Sequence, residues 1–445
     1  MTRSIWLNRF LNRKEDPEFE ALNRSIHTDA RLFREEIAAT RAHAHALHQA
    51  GIYNDDEKGG VLAALDLIET EIEAGSLGLD AFEDIHTVVE SRLTELTGSA
   101  GAKIQTGRSR NEQTVTAQRL YLKKALSALV EALSDLQQVT LERAEGMIDL
   151  LVPGFTHMRP AQPIRFSFYL CSLFYGLARD KERASQALKR VDTSPAGTGA
   201  LAGAPFGLDR QLTASLLGFA RVSENALDTV SDRDCNMELL SVLSILLVRL
   251  SRFAEDLLLW SSPAFGFVTL DDAYCTSSSL MPQKKNPDSL ELVRGKAGCV
   301  ISSLVSLLIT CKGLPMGYQK DLQEDKAPLF EAMDTTLACV KVFKGIIASL
   351  SLDAQKALNS IPLECLATDQ ADEYVREGMS FRQAYDLVAE SYAKRDTGNK
   401  KTTMSPEVRA RQMEASVERR NNHGGTSREA VLKQIAQGRK QLKKR

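Results

Sequence analysis

The spacing of apolar residues predicts α-helices over most of the chain. In one example the apolar residues recur at the helical period, at Val61, Leu65, Ile68 and Ile72, and acidic residues occupy positions between them. Such a pattern is typical of a helix that buries one face. Asp55 or Asp56 is placed to cap the first turn of this helix.

Proline, the usual helix breaker, is missing from three long stretches of the chain, 18–152, 206–262 and 329–361. We therefore predict an all-α fold. Five of its helices are long and lie between residues 107 and 352, at roughly 111–150, 160–191, 228–262, 287–312 and 325–351. A chain of 445 residues exceeds the usual size of a single core, so more than one domain is expected.

The segment 236–260 carries apolar residues on nearly every face of its predicted helix. A membrane span is the obvious alternative, but Glu238, Arg249 and Glu255 leave too short an uncharged run to cross a bilayer. The pattern instead predicts a helix that is surrounded by other helices, within a bundle larger than one subunit easily builds. We therefore expect a homo-oligomer.

Composition and charge narrow the function further. Lys and Arg total 56 against 58 Asp and Glu, so no overall charge favours nucleic acid or a membrane surface. The seven cysteines show no CxxC spacing, and no apolar leader precedes a cleavage site, which favours the reducing cytoplasm. The basic end, 439–445, is interpreted as the solvated end of a helix.

Candidate chemistry lies in the polar loops between the long helices. Residues 276–288 combine three serines and two lysines with an Asn-Pro-Asp helix start, which suits anion binding, although a plain polar turn has the same composition. Residues 106–113 bring two arginines and Asn111 around a glycine, as carboxylate recognition requires. His157 is the only histidine between residues 87 and 422, and a lone histidine is more often structural.

Several of these segments resemble one enzyme family. The run SSLMPQKKNP at 278–287 resembles the signature loop of the fumarase/aspartase superfamily. Within that superfamily the argininosuccinate lyases are the best match, through TGRSRN at 106–111, the THxxxAQP pattern at 156–163, GALAG at 199–203, SDRD at 231–234, DLQEDK at 321–326 and NHGGT at 422–426. The delta-crystallins of the eye lens are related to the same family.

The resemblance implies a fold and an activity. It implies three mostly helical domains, at 1–106, 107–355 and 356–445, whose central five-helix bundles assemble into a tetramer with a twenty-helix core. Each active site would then draw on three subunits. The implied reaction is the β-elimination of argininosuccinate to arginine and fumarate, the last step of arginine biosynthesis.

The resemblance also assigns site residues. It makes Ser278 the catalytic base, Lys284 the stabiliser of the dianionic intermediate, and His157 with its charge partner Glu291 the second catalytic group. Substrate contacts are carried over to Ser25, Arg110, Asn111, Thr156, Asn286, Tyr318, Gln323 and Lys326. No metal or organic cofactor is implied, and none of the common metal or phosphate motifs occurs in the sequence.

The chain departs from the family pattern at Gln105, Glu112 and Ser277, where His, Asp and Gly are usual. These changes leave two alternatives open. One is a lyase of the same superfamily that acts on another N-substituted aspartate, such as adenylosuccinate. The other is a catalytically silent, crystallin-like structural homologue.

Overall fold

The computed structural model describes residues 16–396 and 405–443. Helices account for 71% and strands for 6% of the chain, so the predicted all-α class is confirmed. The first six described helices are short to medium in length: α1 (Pro17–Asn23), α2 (Ile26–Asp29), α3 (Phe33–Gln49), α4 (Asp55–Glu73), α5 (Ile85–Thr97) and α6 (Ser99–Ala102).

Five long helices and two short ones follow. In chain order they are α7 (Arg110–Gly146), α8 (Phe166–Val191), α9 (Arg210–Leu216), α10 (Ala226–Ser231), α11 (Asp234–Ser261), α12 (Asp288–Cys311) and α13 (Lys326–Ser349). The five predicted long helices correspond to α7, α8, α11, α12 and α13. The C-terminal part holds α14 (Ala354–Asn359), α15 (Ala367–Arg376), α16 (Phe381–Asp396), α17 (Pro406–Glu418) and α18 (Arg428–Lys443).

Two predicted helix starts are wrong. Residues 160–165 belong to a β-hairpin of β1 (Leu151–Thr156) and β2 (Arg159–Arg165), because Pro160 and Pro163 favour extended backbone. The segment 228–262 is divided at residues 232–233, where α10 ends and α11 begins. Six two-residue strands are also present: β3 (Thr193–Ser194), β4 (Arg221–Val222), β5 (Val268–Thr269), β6 (Thr276–Ser277), β7 (Lys285–Asn286) and β8 (Ser351–Leu352). Short 3-10 helices lie between these elements, among them Lys320–Asp325.

The chain forms two compact units, each assembled from three segments. The described residues of unit 1 lie within 1–130, 182–244 and 299–336, and those of unit 2 lie within 131–181, 245–298 and 337–445. Both units therefore combine segments that are far apart in sequence. The three-domain division with boundaries at 106 and 355 stays a prediction.

The core of unit 1 lies among α3, α4 and α5. Val61, Leu65 and Ile68 on α4 are fully buried in it, as their spacing predicts. The cap of α4 is not an aspartate, however. Asn54 accepts a hydrogen bond from the Glu57 amide at 2.8 Å, and Glu57 accepts one from the Asn54 amide at 3.1 Å. This capping box satisfies two backbone groups at once, which explains why it is used instead of Asp55 or Asp56.

Apolar side chains remain exposed on two of the long helices. On α11, Leu239, Leu243 and Leu250 are buried, but Ile245 and Val248 are 42% and 45% exposed. On α12 the exposed fractions lie between 47% and 65%, at Leu292, Val305, Leu308 and Ile309. Among the described residues, α12 is the one helix long and apolar enough to cross a membrane by length and composition, a test that core helices also pass. The sequence pattern singled out α11 and missed α12.

Candidate active site

Six of the predicted substrate-binding residues line one cavity in unit 1, which we call the mixed-charge pocket. Its volume is about 280 Å³. The predicted residues in its wall are Ser25, Arg110, Asn111, Tyr318, Gln323 and Lys326, and they come from three separated segments of the chain. Asp29, Glu83, Asp84, His86, Thr114 and Lys320 complete the wall. The pocket therefore offers both cations and carboxylates.

Arg110 and Asn111 enter the pocket at the start of α7. The turn before them needs Gly107, whose φ is +70° and whose missing Cβ would lie 2.9 Å from Leu208. The Arg110 guanidinium lies 3.2 Å from the Asp84 carboxylate and donates to Thr87 at 3.1 Å. Asn111 donates from its amide to the Ala200 carbonyl at 3.1 Å. Both side chains are therefore held in place within unit 1.

The other pocket residues are also fixed by local contacts. The Ser25 hydroxyl donates to Asp29 at 2.5 Å, and Gln323 donates to the Asn23 carbonyl at 3.2 Å. Lys326 is buried and donates to Asp325 at 3.0 Å. Burial raises the pKa of Tyr318 to about 12, which keeps its phenol neutral and able to donate a hydrogen bond.

A buried network around Glu36 was missed by the sequence argument. Glu36 accepts hydrogen bonds from His86 at 2.6 Å, from Arg108 at 3.1 Å and from Gln113 at 3.0 Å. Burial alone would raise the pKa of Glu36, but Arg108 and His86 lower it well below its usual range. Since Glu36 lies in the first turn of a helix that carries no motif, only its position on the buried face of α3 could have indicated its role.

Two of the unusual residues belong to the surroundings of this pocket. Gln105 donates to Glu90 at 2.5 Å, and Glu90 also lies 3.6 Å from the Arg110 guanidinium. Glu112 is buried and accepts from the Ser109 amide at 3.2 Å. Burial raises the pKa of Glu112 despite backbone hydrogen bonds that favour its charged form. Both residues therefore act on the loop that carries Arg110 and Asn111.

Unit 2 holds the signature loop. β6 and β7 pair in antiparallel fashion, so residues 278–284 form the connection between them. The half-buried Ser278 hydroxyl oxygen accepts backbone hydrogen bonds from Leu280 at 3.3 Å and Met281 at 3.0 Å. Ser277 lies in β6, outside the left-handed region where glycine is favoured.

A second cavity in unit 2, the loop pocket, has a volume of about 480 Å³. Lys284, Asn286 and Glu291 line it, together with Cys275 and Lys285. Lys285 donates to the Leu270 carbonyl at 2.6 Å and to Asp272 at 2.5 Å. Lys284 is therefore the lysine of this loop that is available to a ligand. Glu291 lies on the first turn of α12 and is exposed.

Thr156 and His157 lie at the tip of the β1–β2 hairpin in unit 2, where both are exposed. The two turn residues, His157 and Met158, have φ values of +52° and +59°. Turns of this kind favour Asn-Gly, so two side chains in the left-handed region cost about 1 to 2 kcal/mol each. Strain of this kind is typical of functional sites.

The structure of one chain therefore gathers some predicted residues and not others. Ser278, Thr156 and His157 lie outside the walls of both pockets, and Glu291 lines the loop pocket while His157 does not. The pairing of His157 with Glu291 stays a prediction. Within residues 16–393 and 405–443, no group of three or more His, Cys, Asp or Glu side chains has the arrangement of a metal site.

His43, beside the Glu36 network, gives unit 1 an acid sensitivity that can be measured. Burial, helped by Arg108, lowers the pKa of His43 to about 3. Because the unfolded chain takes up this proton below pH 6.5 and the folded chain does not, stability is full above pH 6.5 and falls towards pH 3. The expected slope is about 1.4 kcal/mol per pH unit. His43→Gln should reduce the slope of the unfolding free energy against pH, measured by urea unfolding at several pH values and a fixed protein concentration. His27→Gln, at an exposed position, is the control. Equal slopes in the wild type and His43→Gln would contradict this assignment.

Comparison with known proteins places these sites in context. A protein-family model described as "Lyase" matches residues 10–302. The argininosuccinate lyase of Desulfatibacillum aliphaticivorans is 42% identical over 98% of this chain and 97% of its own length. A probable argininosuccinate lyase of Schizosaccharomyces pombe is 40% identical over 99% of both chains. Among solved structures, an EDDS lyase in complex with formate has a TM-score of 0.84 and 25% identity, over 97% of this chain and 91% of its own.

Proposed function

Because the chain belongs to the argininosuccinate lyase family, a group of carbon–nitrogen lyases, we propose that it splits argininosuccinate into arginine and fumarate by β-elimination. This reaction is the last step of arginine biosynthesis, and we place it in the cytoplasm. The observation that carries the proposal is the mixed-charge pocket, in which six residues predicted from separate motifs line one cavity.

The charges of this pocket suit the proposed substrate. Argininosuccinate carries three carboxylates together with an ammonium and a guanidinium group. Arg110, Lys320 and Lys326 can meet carboxylates, while Asp29 and Asp84 can meet the cationic groups. A pocket of a single charge sign would leave half of such a ligand without partners.

The loop pocket and the hairpin supply the groups that elimination requires. In our proposal Ser278 removes the proton from the carbon next to a succinyl carboxylate, and the electron pair of that C–H bond moves into the carboxylate as a dianionic aci-form. Lys284 and Asn286 stabilise this charge. The electrons then form the fumarate double bond as the C–N bond breaks. His157, paired with Glu291, delivers a proton to the departing nitrogen, directly or through water.

The assembly we propose is a homotetramer with active sites shared between three subunits. Two observations support it. The exposed apolar side chains of α12 and α11 form surfaces that a single copy leaves in water, which is unusual for an isolated protein. In addition, Ser278 and His157 line neither of the two pockets of one chain, as expected if other copies complete the site. On this proposal α12 faces helices and not lipid.

The test is a direct assay of the purified full chain with argininosuccinate near neutral pH and without added metal. We expect absorbance from fumarate to rise and arginine to appear in equal amounts. Fumarate from adenylosuccinate, with none from argininosuccinate, would favour the alternative lyase. No turnover of either substrate over a wide concentration range would favour the crystallin-like alternative.

A further inference from the structure

The open end of the β1–β2 hairpin, which we call its root, contains an arginine that has no role in the proposed reaction. Arg165 is the last residue of β2, pairs in register with Leu151, and is completely buried. Its guanidinium donates to the Ile148 carbonyl at 2.9 Å, to Glu418 at 2.6 Å and to Glu414. All of these groups lie in unit 2. Within the described residues its buried Nε has no hydrogen-bond partner, so the two Nη groups make all of these contacts. Removing one partner of a buried charge is strongly destabilising, which makes these contacts consequential.

The partners of Arg165 come from a distant part of the sequence. Glu414 and Glu418 lie on the last turns of α17, more than 240 residues further along the chain. The Arg165 backbone amide donates to the Thr426 hydroxyl oxygen at 3.0 Å. Glu418 also accepts from the Arg428 amide at 2.9 Å. We call Arg165, Glu414, Glu418 and Thr426 the hairpin clamp.

The NHGGT segment at 422–426 contributes Thr426 to the clamp. Gly425 permits the turn, because a Cβ there would lie 2.2 Å from the Arg420 carbonyl oxygen. The same turn presents the Thr426 hydroxyl to the root of the hairpin, where it is buried. Leu151, on the opposite strand, packs in a core cluster with Met413 and Val417 of α17. Both strands of the hairpin are therefore fastened to the C-terminal segment.

The tip of the hairpin explains why its root needs such fastening. His157 and Met158 both have left-handed backbone, and the pairing register shifts between Gly154 and Phe155. A strained tip beyond an irregular ladder is held only if the rest of the hairpin is fixed. Phe155 contacts Phe265 at 5.7 Å between ring centroids, which supports the middle of the hairpin. The clamp supports its root.

We propose that Arg165 is a positioning residue for the reaction, and that α17 and the 422–426 turn set the direction in which Thr156 and His157 are presented. This inference rests on the proposed role of His157. A planar guanidinium can serve Ile148, Glu414 and Glu418 together, whereas an ammonium cannot reproduce that fork. The C-terminal segment then acts on the chemical step without touching the substrate.

The experiment compares Arg165→Lys with the wild type in the full-length oligomer. We expect kcat to fall about tenfold with a smaller change in KM, because six of the predicted substrate contacts lie in the mixed-charge pocket of unit 1 and only Thr156 lies on the hairpin. Arg420→Lys is the matched control. Arg420 is another largely buried arginine of the same region, and it pairs with Asp369 at 2.9 Å and not with the hairpin. Arg420→Lys should lower Tm and leave kcat within about twofold of the wild type.

Two further variants keep the outcome decisive. If Arg165→Lys fails to assemble, Glu418→Gln removes one charge of the clamp more gently, and we expect kcat to fall about threefold with a smaller change in KM. Unchanged kcat in a variant with lower Tm would overturn the inference, since the clamp would then serve stability alone. His157→Ala separates the two proposals. Full activity in His157→Ala would refute the hairpin's proposed role, whereas an inactive His157→Ala beside a normal Arg165→Lys would refute only the clamp.

Discussion

Replacing Ser278 with alanine should reduce kcat roughly a thousandfold, because general-base catalysis of proton removal is typically of that size. Substrate binding should change little, since the mixed-charge pocket contains no part of the signature loop. The measurement is steady-state fumarate release, together with calorimetric titration of argininosuccinate into the variant. Alanine would also remove a structural contribution of Ser278, because its hydroxyl oxygen accepts two backbone hydrogen bonds within the loop.

Two further variants control for structural effects on the loop. Ser279 is exposed in the same loop, so Ser279→Ala should keep activity within about twofold. Ser278→Thr keeps a hydroxyl oxygen for the Leu280 and Met281 amides and should recover part of the lost activity. If Ser278→Ala retains more than about a tenth of the wild-type kcat, another group is the base.

The sequence predicted the helical fold because periodic apolar residues and missing prolines are local signals. The helix of Val61, Leu65 and Ile68 is buried as its spacing indicates. The same local reasoning failed at residues 160–165, where the prolines favour the strand β2. It also chose Asp55 or Asp56 as a cap, although the reciprocal bonds of Asn54 and Glu57 satisfy more backbone groups.

Site residues were predictable where they lie within a motif and not where they support one. Arg110, Asn111 and Gln323 carry motif signals, and the structure brings them to one pocket. Glu36 and Arg165 carry none, because their importance depends on partners far away in sequence, such as His86 for one and Glu418 for the other. Such pairs form only in the folded chain, where residues that are distant in sequence come into contact.

Hybrid oligomers made from two inactive variants should regain about a quarter of the wild-type activity. Co-expression of Ser278→Ala chains with His157→Ala chains gives random mixtures. If Ser278 and His157 of one site come from different subunits, each is intact with a probability of about one half, so about one site in four is complete. If both came from the same subunit, no site would be complete. The measurement is fumarate release after tandem purification through two different affinity tags.

The matched control for the hybrid is co-expression of His157→Ala with the double variant Ser278→Ala/His157→Ala, in which no arrangement of subunits restores a site. That preparation should be inactive while it assembles in the same way. Recovery in the first mixture and none in the second would locate the two catalytic groups on different copies, as the proposal of sites shared between subunits predicts. A lack of recovery in verified mixed oligomers would mean that one chain supplies both Ser278 and His157 to the same site, and the assignment of these two groups to different subunits would then be wrong.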